Sequence, residues 1–141
     1  MSLPIREQIL QALATRVGAV REVPIYDRSD LPLTVLAEGD EQAQPDDYDL
    51  TRVSMEVYIA KAVAANVAKE EWHGQANKEM ADLIVAAFDG DDTFGGLADG
   101  MDYTGGSIDT IQDGAGGYVA TISLVVRYAF LHGNPYSRVQ E

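Results

Sequence analysis

Between Tyr118 and Phe130 every second residue is apolar: Tyr118, Ala120, Ile122, Leu124, Val126, Tyr128 and Phe130 fall on one side of an extended chain. A period of two fits a strand and not a helix. The same rule governs the stretch from Leu50 to about Val63. There Val53, Met55, Val57 and Ile59 point one way, while Arg52, Ser54, Glu56 and Tyr58 point the other. A strand with one dry and one wet face belongs in an antiparallel sheet covered on one side. The cover must come from elsewhere in a chain of 141 residues, a length that predicts one domain spanning 1–141. A domain of this size buries about two-thirds of the surface its unfolded chain exposes, so it can build a core without staples.

Two segments supply that cover. From Ser2 to about Val17, Ile5, Ile9, Leu13 and Val17 recur every four residues with Leu10 beside them, which predicts an amphipathic helix. Ser2 suits its cap, Pro4 its first turn and Gly18 its stop. Glu70 to Phe88 predicts a second helix, with Trp72, Ala76, Met80, Leu83, Ile84 and Ala87 on its apolar face and Gly90 ending it.

Between and beyond these lie weaker strands. Glu22 to Asp27 reads as extended and Arg28-Ser29-Asp30 as a turn, and Leu33 to Ala37 is rich in strand formers. Met101 to about Gln112 predicts a strand of low apolar content, paired antiparallel with the strand ending at Leu131 because the connection is short. Residues 90 to 117 hold nine of the thirteen glycines, a density that marks several turns. Six of the twelve residues from Glu38 to Asp49 are carboxylates and none is basic, which predicts a solvated acidic loop. The segment from Gly133 onward, with Pro135, reads as a frayed tail. The predicted fold class is α+β: a mostly antiparallel sheet of four to five strands with two helices packed on one face.

Charge narrows the function. Twenty-three acids against ten bases give a formal charge of −13. That argues against a surface built to grip nucleic acid or anionic lipid, since both need clustered Lys and Arg. No Lys or Arg occurs between Lys78 and Arg127, while nine acids do. Such density repels polyanions over a Debye length of roughly 8–10 Å, which suits plain solubility or a surface past which DNA moves without sticking. The absence of cysteine removes disulfides, thiolate metal sites and cysteine nucleophiles. No apolar run approaches the roughly 18 residues of a membrane span, and the N-terminus lacks a signal-peptide core. A soluble, acidic, cytosolic domain is the expectation.

Motifs for chemistry are few. Glu70 stands one helical turn before His73, a spacing that suits two metal ligands or a base with its orienter, and equally a partly exposed histidine at a helix start. His132, before Gly133, reads as a surface residue. Asp89-Gly90-Asp91-Asp92-Thr93 invites a calcium reading. An EF-hand counted from Asp89 would need Gly at its sixth place and Glu at its twelfth, where the chain has Phe94 and Gly100. An irregular calcium loop stays open beside the simpler reading, in which Asp91 and Asp92 bond nearby backbone amides in a turn. Gly114-Ala115-Gly116-Gly117 precedes a strand rather than a helix, so it is no dinucleotide fingerprint, and neither a P-loop nor a Gly-x-Ser-x-Gly elbow is present. No cofactor, metal or catalytic residue is assigned.

Several segments, in order and spacing, carry a resemblance. They are the helix beginning Ile5-Arg6-Glu7, Leu31-Pro32-Leu33-Thr34-Val35-Leu36 with the following Gly39-Asp40-Glu41, Val53 to Ile59, the helix from Ala76 to Phe88, Asp92-Thr93-Phe94-Gly95-Gly96-Leu97-Ala98, and Thr121 to Phe130. Together they cover nearly the whole chain, which resembles the tail terminator (minor tail protein U-like) family of long-tailed phages. The acidic residues Asp46 to Asp49 are not part of that pattern.

The resemblance implies a structural virion protein and not an enzyme, located in the virion tail and assembled in the host cytoplasm. It implies a homo-oligomeric ring, typically a hexamer, at the head-proximal end of the tail tube. Such a ring stops addition of tube protein and offers a surface to the head-to-tail connector. Its partners would be further copies of itself, the tail-tube protein and the connector, with DNA passing through without specific binding and no membrane involved. Related folds serve as neck and tube proteins. On this reading Glu38, Asp40, Glu41, Asp46, Asp47 and Asp49 are candidates to line or rim the channel. Phe94 and Leu97 have two readings: they fold back under the second helix, or they dock onto the tube or a neighbouring subunit.

Overall fold

A computed structural model describes residues 3–21, 32–45, 49–63, 71–110 and 117–138. In chain order the elements are α1 (Ile5–Val17), β1 (Val20–Arg21), β2 (Leu33–Pro45), β3 (Leu50–Val63), α2 (Trp72–Ala87), β4 (Gly100–Thr110), β5 (Tyr118–Leu131) and β6 (Asn134–Arg138). The strands form one sheet in the order β1-β2-β3-β5-β4, with β6 paired to β5. The β1–β2 pair is parallel and every other pair is antiparallel. The fold is α+β, with six strands among the described residues where four to five were expected.

The two alternating strands lie side by side at the centre. Their pairing runs unbroken from Leu50↔Leu131 to Val63↔Tyr118. Val53, Met55, Val57 and Ile59 are buried, as are Ile122, Leu124 and Val126 opposite them. Full burial of side chains this size is worth roughly 1.5–3 kcal/mol each before entropy costs. Ile5, Ile9, Leu10, Leu13 and Ala14 of α1 and Leu83 and Ala87 of α2 join the same hydrophobic cluster.

The helices begin later than their sequence signals suggest. Pro4 is the N-cap of α1, with an extended ψ of 152°, so Ile5 is the first helical residue. Gly18 ends α1 in the left-handed conformation, φ 70°, its N–H donating to Thr15 O. This is the backbone state glycine reaches without a Cβ penalty. α2 starts after Glu71 and ends at Ala87, with Phe88 as its C-cap and Gly90 beyond.

Two expectations are corrected. Residues 38–45 of the acidic stretch are strand, not loop: Glu41 to Pro45 pair with Met55 to Thr51, and a bulge between Glu38 and Glu41 absorbs the shift in register. An edge strand tolerates such polar composition because it borrows its hydrogen bonds from a well-formed neighbour. Asp46 and Asp47 lie outside the described residues, as do the segment expected to be extended at 22–27 and its turn at 28–30. The tail from Gly133 is likewise ordered through Arg138. Gly133 turns the chain at φ 74°, β6 pairs with Phe130 and Leu131, and the Asn134 side chain bonds Tyr136 N and Ser137 Oγ.

Candidate functional site

The acids of β2 sit in two situations. Glu38 and Glu41 are tied to α1 and β1. Arg6 Nη1 donates to Glu41 Oε1 at 2.9 Å and Arg6 Nη2 to Glu38 Oε1 at 3.1 Å. Arg21 donates to Glu7 at 2.9 Å and to Glu38 Oε2 at 2.6 Å. Arg6 Nη2 also reaches Gly39 O, so one guanidinium clasps the whole bulge. Partial burial pushes the Glu38 carboxyl up, but Arg21 and Arg6 outweigh it and hold it below the ordinary carboxylate range. The Tyr128 hydroxyl donates to Glu41 Oε1, and burial together with that carboxylate pushes the phenol's pKa far up. Asp40 and Asp49 are exposed. Two of the channel-lining candidates thus have intramolecular partners and two lie open to solvent.

The glycine-rich loop after α2 is a closed turn. Asp91 accepts from Thr93 N at 2.9 Å, Thr93 Oγ1 at 2.7 Å and Gly95 N at 3.0 Å. The Thr93 hydroxyl, then its amide and that of Gly95, hold the Asp91 carboxyl below its usual range. These are the local amide bonds expected of a turn aspartate. The turn places Phe94 in the hydrophobic cluster, 8% exposed, with Leu97 partly buried against it. Phe94 therefore presents no free docking surface on the single chain. Its backbone carries the cost, a left-handed φ of 51° in a residue with a Cβ.

Among the described residues the sheet has two different open edges. β1 pairs with β2 only at Val35 and Leu36, and among the described residues no strand pairs with β2 beyond that point. On the other side β4 is the last strand of the order. Successive antiparallel pairings make β2 and β4 run in opposite directions.

On the face of the sheet opposite the core, one cross-strand row reads Gln42, Ser54, Arg127, Gly100, and the next holds Gln44 and Arg52. All of these but Gly100 line a groove of about 310 Å³ together with Asp99. Arg127 is bound to Asp102, and Arg52 stands 3.6 Å from Asp99. Sequence reasoning passed over these arginines and over Arg6 and Arg21, because the groups they meet lie 14 to 35 positions away for the clasp and in or just before another strand for the groove. No local spacing signals either arrangement.

His73 is exposed. It borders a cavity of about 100 Å³ lined also by Trp72, Ala76, Ile108, Thr110 and Tyr118, and the Tyr118 hydroxyl is buried there with no hydrogen-bond partner among the described residues. Glu70 lies outside the described residues. Among those described, no three His, Asp or Glu side chains gather as a metal site, and no helix is long and apolar enough to cross a membrane.

No protein-family model matches the chain, and no curated protein does. Among solved structures it is similar to a chain from "Virion of native gene transfer agent (GTA) particle", at 12% identity and a TM-score of 0.38, over 89% of this chain and 94% of that one. A score of that size does not establish a common fold, and the identity says nothing of function.

Proposed function

We propose that this chain is a structural component of a long-tailed phage or prophage, a tail terminator that closes as a ring on the tail tube, stops its growth and presents a surface for head joining. The observation that carries the reading is the pair of unlike open edges, set beside a sequence resembling tail terminators over nearly its whole length. A cyclic ring joins two different patches of each subunit, and an open strand edge offers free N–H and C=O groups to another chain. Because β2 and β4 run oppositely, a neighbour related by rotation brings its β2 against β4 as an antiparallel pair, the more stable arrangement. The two helices then cover one face, leaving the other to face the channel or the next component. Electron microscopy of particles lacking this protein tests the reading. Overlong, headless tails mark a terminator. Missing tails mark a tube component of related fold, and normal particles would remove the assembly role altogether.

A further inference from the structure

We propose that the cavity beside Tyr118 binds a small uncharged molecule with an apolar body and one hydroxyl, a short-chain alcohol in chemical class, which pairs with the Tyr118 hydroxyl. This site goes beyond the assembly reading and stands independently of it.

The cavity lies where the start of α2 meets the β4–β5 pair. Trp72, His73 and Ala76 come from the helix, Ile108 and Thr110 from the end of β4, and Tyr118 from the start of β5, where it pairs with Thr110. Its volume is about 100 Å³, smaller than the roughly 150 Å³ engineered cavity that stays dry and takes benzene. Most of its wall is carbon. Tyr118 is 1% exposed, and its hydroxyl is buried with no hydrogen-bond partner among the described residues. Most buried polar side-chain atoms have a partner, and leaving one unpaired is costly.

This combination selects the occupant. A phenolic hydroxyl both donates and accepts, so an alcohol oxygen satisfies it while the alcohol's chain covers Trp72 and Ile108. An ordered water typically makes about three hydrogen bonds, and Tyr118 supplies the one buried unpaired polar atom of this wall among the described residues. An anion is the wrong ligand. Burial, then the nearby Glu79 carboxylate, pushes the Tyr118 phenol's pKa up, so the field there is already negative. Among the described residues no Lys or Arg lines the cavity, and a carboxylate would lose its hydration without gaining a cationic partner from them.

Trp72 is the chain's one tryptophan, so its fluorescence reports occupancy. Titrating the full-length chain with n-butanol should give a saturable change in emission, and butyrate, an anion of similar size, should give none. Y118F should weaken n-butanol binding by roughly two- to tenfold, the loss of one hydrogen bond. Without alcohol, Y118F should melt no lower than the parent, since it removes an unpaired hydroxyl. A76L, which fills the cavity from a buried helical position, should abolish the saturable change, and I108F fills it from β4 if A76L does not fold. An unsaturable response of the parent, equal n-butanol affinity of parent and Y118F, or butyrate binding as well as n-butanol overturns the proposal. So does a Y118F that melts below the parent, because the hydroxyl then already has a partner. An emission change that follows protein concentration without alcohol also overturns it, because a second copy then fills the cavity. The ring reading survives each of these results, and its own failure shows in the micrographs.

Discussion

The guanidinium of Arg16 on α1 lies over the ring of Phe94, 4.3 Å from its centroid, while donating to the carbonyls of Ala87 at 3.1 Å and Asp91 at 2.6 Å. One side chain thereby finishes the C-terminal end of α2 and pins the loop that follows it. Replacing Arg16 by Ala should lower unfolding free energy by about 1–3 kcal/mol, the sum of a stacked cation and charge-assisted bonds. Lysine should restore only part, because it lacks the planar fork. Urea unfolding measures both, and an unchanged midpoint for R16A would remove the pin.

Phe94 itself should behave as core. Phe94→Ala should cost about 3–5 kcal/mol, as for other buried phenylalanines. The loop residues around it are held by Asp91, so little collapse can fill the space. A variant that melts normally yet fails in tail joining would instead favour a docking role for this side chain.

Two glycines should respond oppositely to alanine. A Cβ at Gly39 would come within 2.7 Å of the Tyr58 ring, 2.8 Å of Glu56 Cβ and 3.1 Å of Glu56 O. Backbone and ring cannot both yield in the bulge that Arg6 clasps, so G39A should destabilise by about 1–3 kcal/mol. A Cβ at Gly74, inside α2, meets nothing within 4 Å. G74A should stabilise by about 0.5–1 kcal/mol through helix propensity alone. Thermal melts of the pair give the sign directly.

The parts of the fold legible in sequence were those where periodicity reports burial. Val53 to Ile59 and Tyr118 to Tyr128 announced β3 and β5 because every second side chain is in the core. Glu38 to Pro45 announced nothing of the kind. Residues 40 to 44 are exposed on both faces, so no alternation is imposed and composition alone reads as loop. What makes the segment a strand is its ladder to β3 and its clasp by Arg6, both tertiary. β6 was hidden for a similar reason: Pro135 and exposed Tyr136 look like a tail, and only the turn at Gly133 brings them to β5. Asp91 was legible as a turn former because its partners lie two and four residues away. The Arg52–Arg127 groove was not, since it exists only once β3, β5 and β4 have fixed their register.

The clasp at Glu38 should leave a trace in acid. Its folded pKa lies below its ordinary value of 4.5. A depressed carboxylate contributes stability that is full above the unfolded pKa and is lost as pH falls through the lower folded one. Glu38 is 39% exposed, so its contribution is that of a surface network, roughly 0.2–1 kcal/mol. E38Q should therefore be slightly less stable than the parent at neutral pH, and the two should converge in acid once Glu38 is protonated. Parallel stability curves across the whole acid range would show that the clasp carries no such linkage.

Salt should promote assembly of the proposed ring. Six copies would carry six times −13, or −78. In about 10 mM salt the Debye length is roughly 30 Å, long enough for the whole charge of one subunit to repel its neighbours. Near 0.15 M it shrinks to about 8 Å, and most of that repulsion is screened. Hydrogen bonds between paired strand edges act over a few ångströms, where screening removes less. The long-range penalty therefore falls faster than the short-range gain. Light scattering should show more ring, formed sooner, at 0.15 M than at 10 mM, with addition of tube ends having the same effect at low salt. Faster association at the lower ionic strength would mean that attraction between unlike patches, rather than total charge, controls the encounter.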